Sequence, residues 1–416
     1  MSNIKESIDQ ANGQAVAAII ESQPNWIGCG NAIDVIPGMT KRTVLHAGPP
    51  IEWQRMCQAM RNGILGAILY EDLAKNLSDA EALIRSGEII LAPCHDHSAV
   101  GSMTGITSAT MPVAIVLNER KGNLAYCGFH EGMRSMGFSW GNHDQETIDN
   151  MKWIRDEFSP TMDAGLRSSN GLDIYSLIAR SIQMGDENHG RCKASTSLMT
   201  RELIPWLVKL DVSKNLLWRI FEFLRSTDMF ALNIIMAAAK SIADSIKNIP
   251  YCSIITTMAR NGVEFGIKVS ALGERWFIGP AQKINTVYLS STWNDDVATP
   301  DMGDSSIVEV IGLGGLIRVA SPALGYSLGF DYSDSVRKTE EAYAFCAGEH
   351  KVWQLPALGY RGVPLGIDIR KVIKTGVSPT LDTATAHING GKIGIGEAVA
   401  PMKAFETALL AFKKEM

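Results

Sequence analysis

What the 416-residue chain lacks narrows its function before any motif is read. Its seven cysteines, at positions 29, 57, 94, 127, 192, 252 and 346, form no Cys-x-x-Cys pair and leave one odd, the usage of reduced thiols in a cytosolic protein. No block of Lys or Arg stands out and the formal charge is −5, which argues against nucleic acid or an anionic membrane as the main partner. The longest apolar runs, residues 229–239 and 310–320, fall short of a membrane span and carry polar groups. The first ten residues are polar with no apolar h-region, so the expectation is no signal peptide and a cytoplasmic location. There is no Gly-x-Ser-x-Gly, no Cys/His protease signature, no P-loop, and no Gly-x-Gly-x-x-Gly opening an N-terminal helix. Covalent hydrolase, nucleotide and nicotinamide readings therefore have little support, and no cofactor is expected.

What is present is the composition of a folded globular protein, 46% hydrophobic and 20% charged, long enough for two or three domains. Residues 1–22 read as an amphipathic helix. Strand-like pieces at 43–46, 64–70 and 89–92 alternate with helical ones at 51–61 and 78–85, and strands at 113–117 and 124–127 flank the turn Arg120-Lys121-Gly122-Asn123. Helical periodicity then dominates 145–157, 172–184, 193–210, 214–225 and 230–246. Strand signals return at 252–257, 263–269, 276–278, 287–289 and 307–311, before a last helix at 403–414. The pattern predicts a mixed α/β, multidomain fold. Two α/β portions, 1–143 and 250–416, the latter with Gly-rich loops, flank a helical domain at 144–249, with an active cleft between them. Pro-Ala-Leu-Gly-Tyr occurs twice, from Pro322 and from Pro356, each followed by Leu-Gly-x-Asp.

The chemistry-bearing residues cluster. Residues 183–193 crowd Asp186, Glu187, His189, Arg191 and Lys193 around two glycines between two apolar helical patterns. The second helix would offer unpaired N–H groups to an anion; the plainer reading is a solvated turn with a Glu187–Arg191 ion pair. Pro93-Cys94-His95-Asp96-His97 follows a strand, and in extended structure His95 and His97 would share one side. Such a pair can hold a divalent metal or place a general acid beside an anion; no third and fourth ligand declares itself, so no metal is assigned. The small, hydroxylated loop 98–110 and His46-Ala-Gly48-Pro49-Pro50 are candidate anion floors. Arg260-Asn261-Gly262 is first of all a hairpin turn. Asp304 precedes the cluster Gly312-Leu-Gly314-Gly315, and His387 precedes another glycine loop. Taken together, these groups suit small anionic, polar substrates in a cleft.

Over residues 34–397 the sequence resembles the AllG/YlbE/YahG-like family, associated with the large subunit of oxamate carbamoyltransferase. The motifs are Leu45-His-Ala-Gly-Pro-Pro-Ile51, Pro93-Cys-His-Asp-His97 with Ala99-Val-Gly101, Ser108 to Val113, and Met184-Gly-Asp-Glu187 with His189 and Arg191. Further on come Ala259-Arg-Asn-Gly-Val-Glu-Phe-Gly-Ile267, Gly303-Asp-Ser-Ser-Ile307 with Gly312-Leu-Gly-Gly315, and Ala386-His387. The resemblance implies reversible carbamoyl transfer between phosphate and oxamate in nitrogen catabolism, by a homo- or hetero-oligomer. One companion subunit would resemble the succinyl-CoA synthetase α chain. On that footing Arg191, Arg260 and His189 are expected to bind the anionic substrate, with Asn261, Gly48 and His387 nearby. His95 or His97 would move the proton, oriented by Asp186 and Glu187, and Asp304 with Gly314 and Gly315 would close the site. The chain departs from the family pattern at Asp96, at His130-Glu131-Gly132, at residues 189–192 and around residues 382–387, so its substrate is expected to differ in detail. A non-catalytic ligand-binding or scaffold subunit and a metal-dependent amide hydrolase are the alternatives.

Overall fold

The computed structural model describes residues 2–131 and 137–416 and is mixed α/β; Gly132 lies outside the described residues. One five-stranded sheet runs in the order Ala99–Val100, Asn123–Gly128, Pro112–Asn118, Pro24–Asn31, Leu172–Asp173. Its central hairpin turns where expected, with Gly122 at φ +74°. Helix Phe230–Asp244 lies on this sheet and is buried from Phe230 to Ala243. Most of its length is apolar on all sides, the pattern of a core helix, and its buried Lys240 is held by Asp244 and the His95 carbonyl. Around its start, Phe129 stacks on Phe230 at 6.0 Å, and Phe158 meets both edge-on at 5.5 and 5.8 Å. Each such side chain contributes about 1.5–3 kcal/mol by leaving water.

A smaller sheet matters more for the site. Thr43–His46 runs parallel to Ile90–Pro93, with Thr107–Ser108 antiparallel on its other side. His46 pairs with Pro93, so the two following loops leave the same sheet edge. Ligand crevices in α/β sheets commonly form outside such carboxyl ends. After the helices Gln145–Trp153, Ser159–Ser169, Ile174–Gln183, Lys193–Leu207 and Lys214–Arg225, further sheets follow. One is ordered Phe277–Pro280, Glu264–Val269, Ile255–Asn261, Met302–Gly303; another is Asn285–Tyr288, Lys392–Val399, Thr380–Ala386. The hairpin Cys346–Leu355/Arg361–Ile367 receives the first helix, Ser2–Glu21. Asn12 Nδ2 donates to Ser253 Oγ and Asp368 Oδ2, both at 3.0 Å, which ties the start of the chain to its later part.

Three expectations need correction. Residues 64–70 belong to helix Gln58–Tyr70, where Gly66 admits the Phe138 ring, and residues 307–311 form helix Ile307–Val310 with a turn. Both stretches are buried almost throughout, so they lack the polar face that distinguishes helix from strand periodicity. Residues Cys94–His97 form a 3-10 turn, so His95 and His97 do not share a strand face. The duplicated pentapeptide folds differently in its two copies, as helix Pro322–Ser327 and as 3-10 turn Pro356–Leu358. What repeats is its trailing aspartate: Asp331 and Asp368 each cap the next helix. Among the described residues no helix is long and apolar enough to cross a membrane.

Candidate functional site

The loops leaving the parallel strands converge on Asp304. Gly48 N donates to Asp304 Oδ1 at 2.9 Å and Gly101 N donates to Oδ2 at 3.1 Å. Gly48 is required: φ is +83°, and a Cβ there would lie 2.6 Å from the Arg260 carbonyl carbon. The anion expected on these loops is thus the chain's own carboxyl group. Burial pushes Asp304 up to about 7, against the two N–H donors and Arg260. His95 Nε2 lies 3.6 Å from Asp304 Oδ1; the ring is buried and neither nitrogen has a partner among the described residues. Burial, with Lys240 and Lys268 adding to it, holds His95 well below the usual histidine range.

Arg260 is also engaged. Its Nε and Nη2 fork onto Asp301 at 2.8 and 2.9 Å, and Nη1 donates to Gly303 O at 2.7 Å. Asn261 forms the expected hairpin turn: its Oδ1 accepts from Val263 N and Glu264 N, and its Nδ2 donates to Pro49 O. His97 Nδ1 pairs with Pro37 O at 2.7 Å, while Asp96 accepts from Lys268 and Trp276. His387 Nδ1 accepts from Asn389 N within its own turn. Among the described residues no three His, Cys, Asp or Glu side chains are arranged for a metal ion.

In the charged stretch the same self-satisfaction recurs. Asp186 accepts from Ser195 N at 2.8 Å and from Arg191 Nη1 at 2.6 Å, so a carboxylate already occupies the first turn of helix Lys193–Leu207. Glu187 accepts from Arg191 N at 2.6 Å and from His189 N at 2.5 Å, and burial together with Asp382 raises it well above the usual range. His189 differs. Its Nδ1 pairs with Glu309 Oε1 at 2.7 Å, and the same oxygen accepts from Gly315 N at 3.0 Å and Asp382 N at 3.2 Å. Gly314, at φ +60°, closes over this pair: a Cβ would overlap Glu309 Oε1 and reach within 3.0 Å of His189 Cβ.

His189 lines a cleft with about 560 Å³ of empty space open to solvent. Glu131, Asp382, Lys392, Ser102, Ser305 and Thr383 supply its other polar groups, with Trp140, Met103, Leu232 and Leu324 among its apolar walls. Of the catalytic and binding residues named from the sequence, His189 alone lines it. Two links join the Asp304 clamp to it: Asp304 precedes Ser305, and Thr383 Oγ1 donates to Asp301 Oδ1 at 2.8 Å, whereas neither His97 nor His387 is among its lining residues. Burial raises Glu131, opposed by Lys392, and burial raises Asp382, opposed by Arg318. Glu131, Asp382 and Thr383 fall in segments where the chain departs from the family pattern, and Lys392 in the glycine loop after His387. For Asp382 that departure was an available signal; Glu131, Thr383 and Lys392 carried none of their own.

Residues 89–305 match the family described as oxamate carbamoyltransferase subunit AllG. The chain is 39% identical over 413 residues to the uncharacterized protein YahG of Escherichia coli K12, covering 99% of this chain and 87% of that one. It is 38% identical over 415 residues to oxamate carbamoyltransferase subunit AllG of the same organism, covering 99% of each. It is also similar to the crystal structure of a conserved protein of unknown function from Enterococcus faecalis V583, with TM-score 0.96, 39% identity and 99% coverage of both chains.

Proposed function

Since the chain belongs to the AllG family of oxamate carbamoyltransferase subunits, we propose that it is a carbamoyltransferase-like enzyme subunit acting on small anionic amides of the oxamate and carbamoyl phosphate type. The observation that carries this reading is His189, whose Nδ1 is fixed by Glu309 while the ring borders the cleft. Carbamoyl transfer joins an incoming nitrogen or oxygen to the carbamoyl carbon, builds negative charge on its oxygen and expels phosphate. An imidazole anchored through one nitrogen can take and return the nucleophile's proton through the other. Lys392 is the cation available to the developing charge, and Glu131 and Asp382 offer acceptors to the –NH2 group that both substrates carry. The anion-binding role expected of Arg191 and Arg260 passes to Lys392, because both arginines are tied to internal carboxylates. Companion subunits, one resembling the succinyl-CoA synthetase α chain, belong to the same proposal.

A second reading is favoured by one observation: the backbone clamps are filled by Asp304, Asp186 and Glu309, as in a scaffold whose donors have no external ligand. In that case the chain binds ligand or partners without turnover. The metal-dependent amide hydrolase has no ligand set among the described residues. A bisubstrate assay with carbamoyl phosphate and oxamate, run with companion subunits present, separates the two. Turnover lost in His189→Asn supports catalysis here. Oxamate-dependent thermal stabilisation with no turnover in any subunit combination refutes it.

A further inference from the structure

Asp382 is gripped from behind by a residue that no sequence motif singled out. Arg318 is fully buried, and its Nη2 donates both to Asp382 Oδ1 and, at 3.2 Å, to Glu397 Oε2. Glu397 Oε1 accepts from Lys338 Nζ at 2.9 Å. Phe330 lies beneath both cations, 5.4 Å from the Arg318 guanidinium carbon and 4.8 Å from Lys338 Nζ. A row of alternating charges, Lys338–Glu397–Arg318–Asp382, thus runs from a nearly buried lysine to the wall of the cleft. At its end Asp382 Oδ2 has no partner among the described residues, although the residue lines the cleft. A buried acceptor left open costs about 1–3 kcal/mol, a cost recovered when a donor arrives.

We propose that Arg318 is a positioning residue: it fixes Asp382 by one oxygen and presents the other to the –NH2 group of a carboxamide or carbamoyl ligand. The proposal rests on the reading of this cleft as the ligand site. The groups facing Asp382 are Arg318, Glu309, His189 and Glu397, with Glu187 beyond the His189 turn. Arg318 and His189 favour the ionised carboxylate; Glu309 and Glu397 oppose it. With Arg318 on Oδ1, a proton on Asp382 would sit on Oδ2, so the ionised form is the better acceptor for an amide N–H. Arg318 is not among the residues lining the cleft, and its Nε and Nη1 are buried without a partner among the described residues, so it acts on the ligand through Asp382.

Selective 13C labelling of aspartate carboxyls, with Asp382→Asn for assignment, follows the Asp382 titration in the ligand-free protein. Arg318→Gln is expected to raise its midpoint by about one pH unit or more. Glu397→Gln removes a like charge and is expected to lower it. Shifts of opposite sign distinguish electrostatic positioning from general loosening, which moves both variants the same way. Arg318→Lys should restore part of the shift, and Glu397→Gln carries the test alone if Arg318→Gln does not fold. The acid limb of oxamate binding, read by calorimetry, should follow the same two displacements. An unmoved midpoint, or equal displacement in both variants, overturns the proposal. If wild-type protein binds no oxamate at any pH while the midpoints move oppositely, the ligand assignment falls and Arg318's hold on Asp382 stands.

Discussion

Two regions of this molecule are built from the same parts and behave as opposites. The Asp304 clamp and the His189 cleft each combine glycine backbone, buried carboxyls, an imidazole and an arginine. In the clamp, Gly48 and Gly101 donate to both Asp304 oxygens and Arg260 is engaged by Asp301 and Gly303, so these donors are spent internally, while the enclosed His95 ring has no partner among the described residues. In the cleft, Glu309 holds one nitrogen of His189 and Arg318 one oxygen of Asp382, and each of these fixed groups lines the cleft. Residue type does not separate a strut from a site; what separates them is whether an open polar atom borders the cleft, as on Asp382, or is sealed in the interior, as on His95.

The comparison predicts that substitutions in the cleft change function at little cost in stability, and that those in the clamp do the reverse. The largest expected effect is on turnover. His189→Asn should lower kcat by about 10²–10⁴-fold if the ring transfers the proton, with a melting temperature near that of wild type. Steady-state kinetics and a thermal melt on the same preparation check both halves. In the clamp, Arg260→Met leaves Asp301 buried without its cation and should cost about 3–5 kcal/mol in denaturant unfolding. Any folded fraction should bind oxamate as before. Loss of oxamate affinity at unchanged stability would move Arg260 from strut to site and erase the distinction.

The contrast also explains what the sequence could disclose. Amphipathic helices such as Lys214–Arg225 are legible because one face meets water. The runs at 64–70 and 307–311 are not, because burial on all sides removes the alternation. Motif residues were legible as a set, yet their roles depend on partners far along the chain. Asp304 meets Gly48, 256 positions away, and His189 meets Glu309, 120 positions away. No local pattern reveals that a glycine loop's anion is supplied by the same chain. Glu131, Asp382 and Lys392 stayed obscure for the complementary reason that each is unremarkable among its neighbours until the walls close around it.

A pH experiment sharpens the same contrast. Burial raises Asp304 to about 7 in the fold, whereas an unfolded aspartate titrates near ~3.9. Between those values the native state holds the extra proton, so this contribution to stability is complete at low pH and lost as pH rises through 7. Buried His130 and His350 behave inversely: both are lowered to about 4, so their contribution is present above ~6.5 and lost as pH falls through 4. Asp304→Asn removes the first dependence and leaves the second. Wild-type stability relative to this variant should therefore fall by roughly 2 kcal/mol between pH 5 and pH 7 in urea titrations. A flat difference would mean that Asp304 is ionised throughout and the clamp is an ordinary salt-free anion hole.

The smallest effect concerns the cation of the cleft. Lys392 is half-buried, faces Glu131 and lies 5.8 Å from the Trp140 ring, so its charge is partly screened by water and partly held against an aromatic wall. Lys392→Met keeps the aliphatic stem and removes only the charge. Affinity for oxamate should drop by about tenfold, and the drop should shrink as salt is raised, because a half-exposed charge is screened within about 10 Å at 0.1 M ionic strength. Removing that cation leaves only Ser102 and His189 to oppose burial at Glu131, so the variant's remaining affinity should become more dependent on pH near neutrality. Calorimetric titration of oxamate at two salt concentrations and two pH values reads all three outcomes. Unchanged affinity in Lys392→Met would leave the cleft without a cation for an anionic substrate and favour a neutral amide as its ligand.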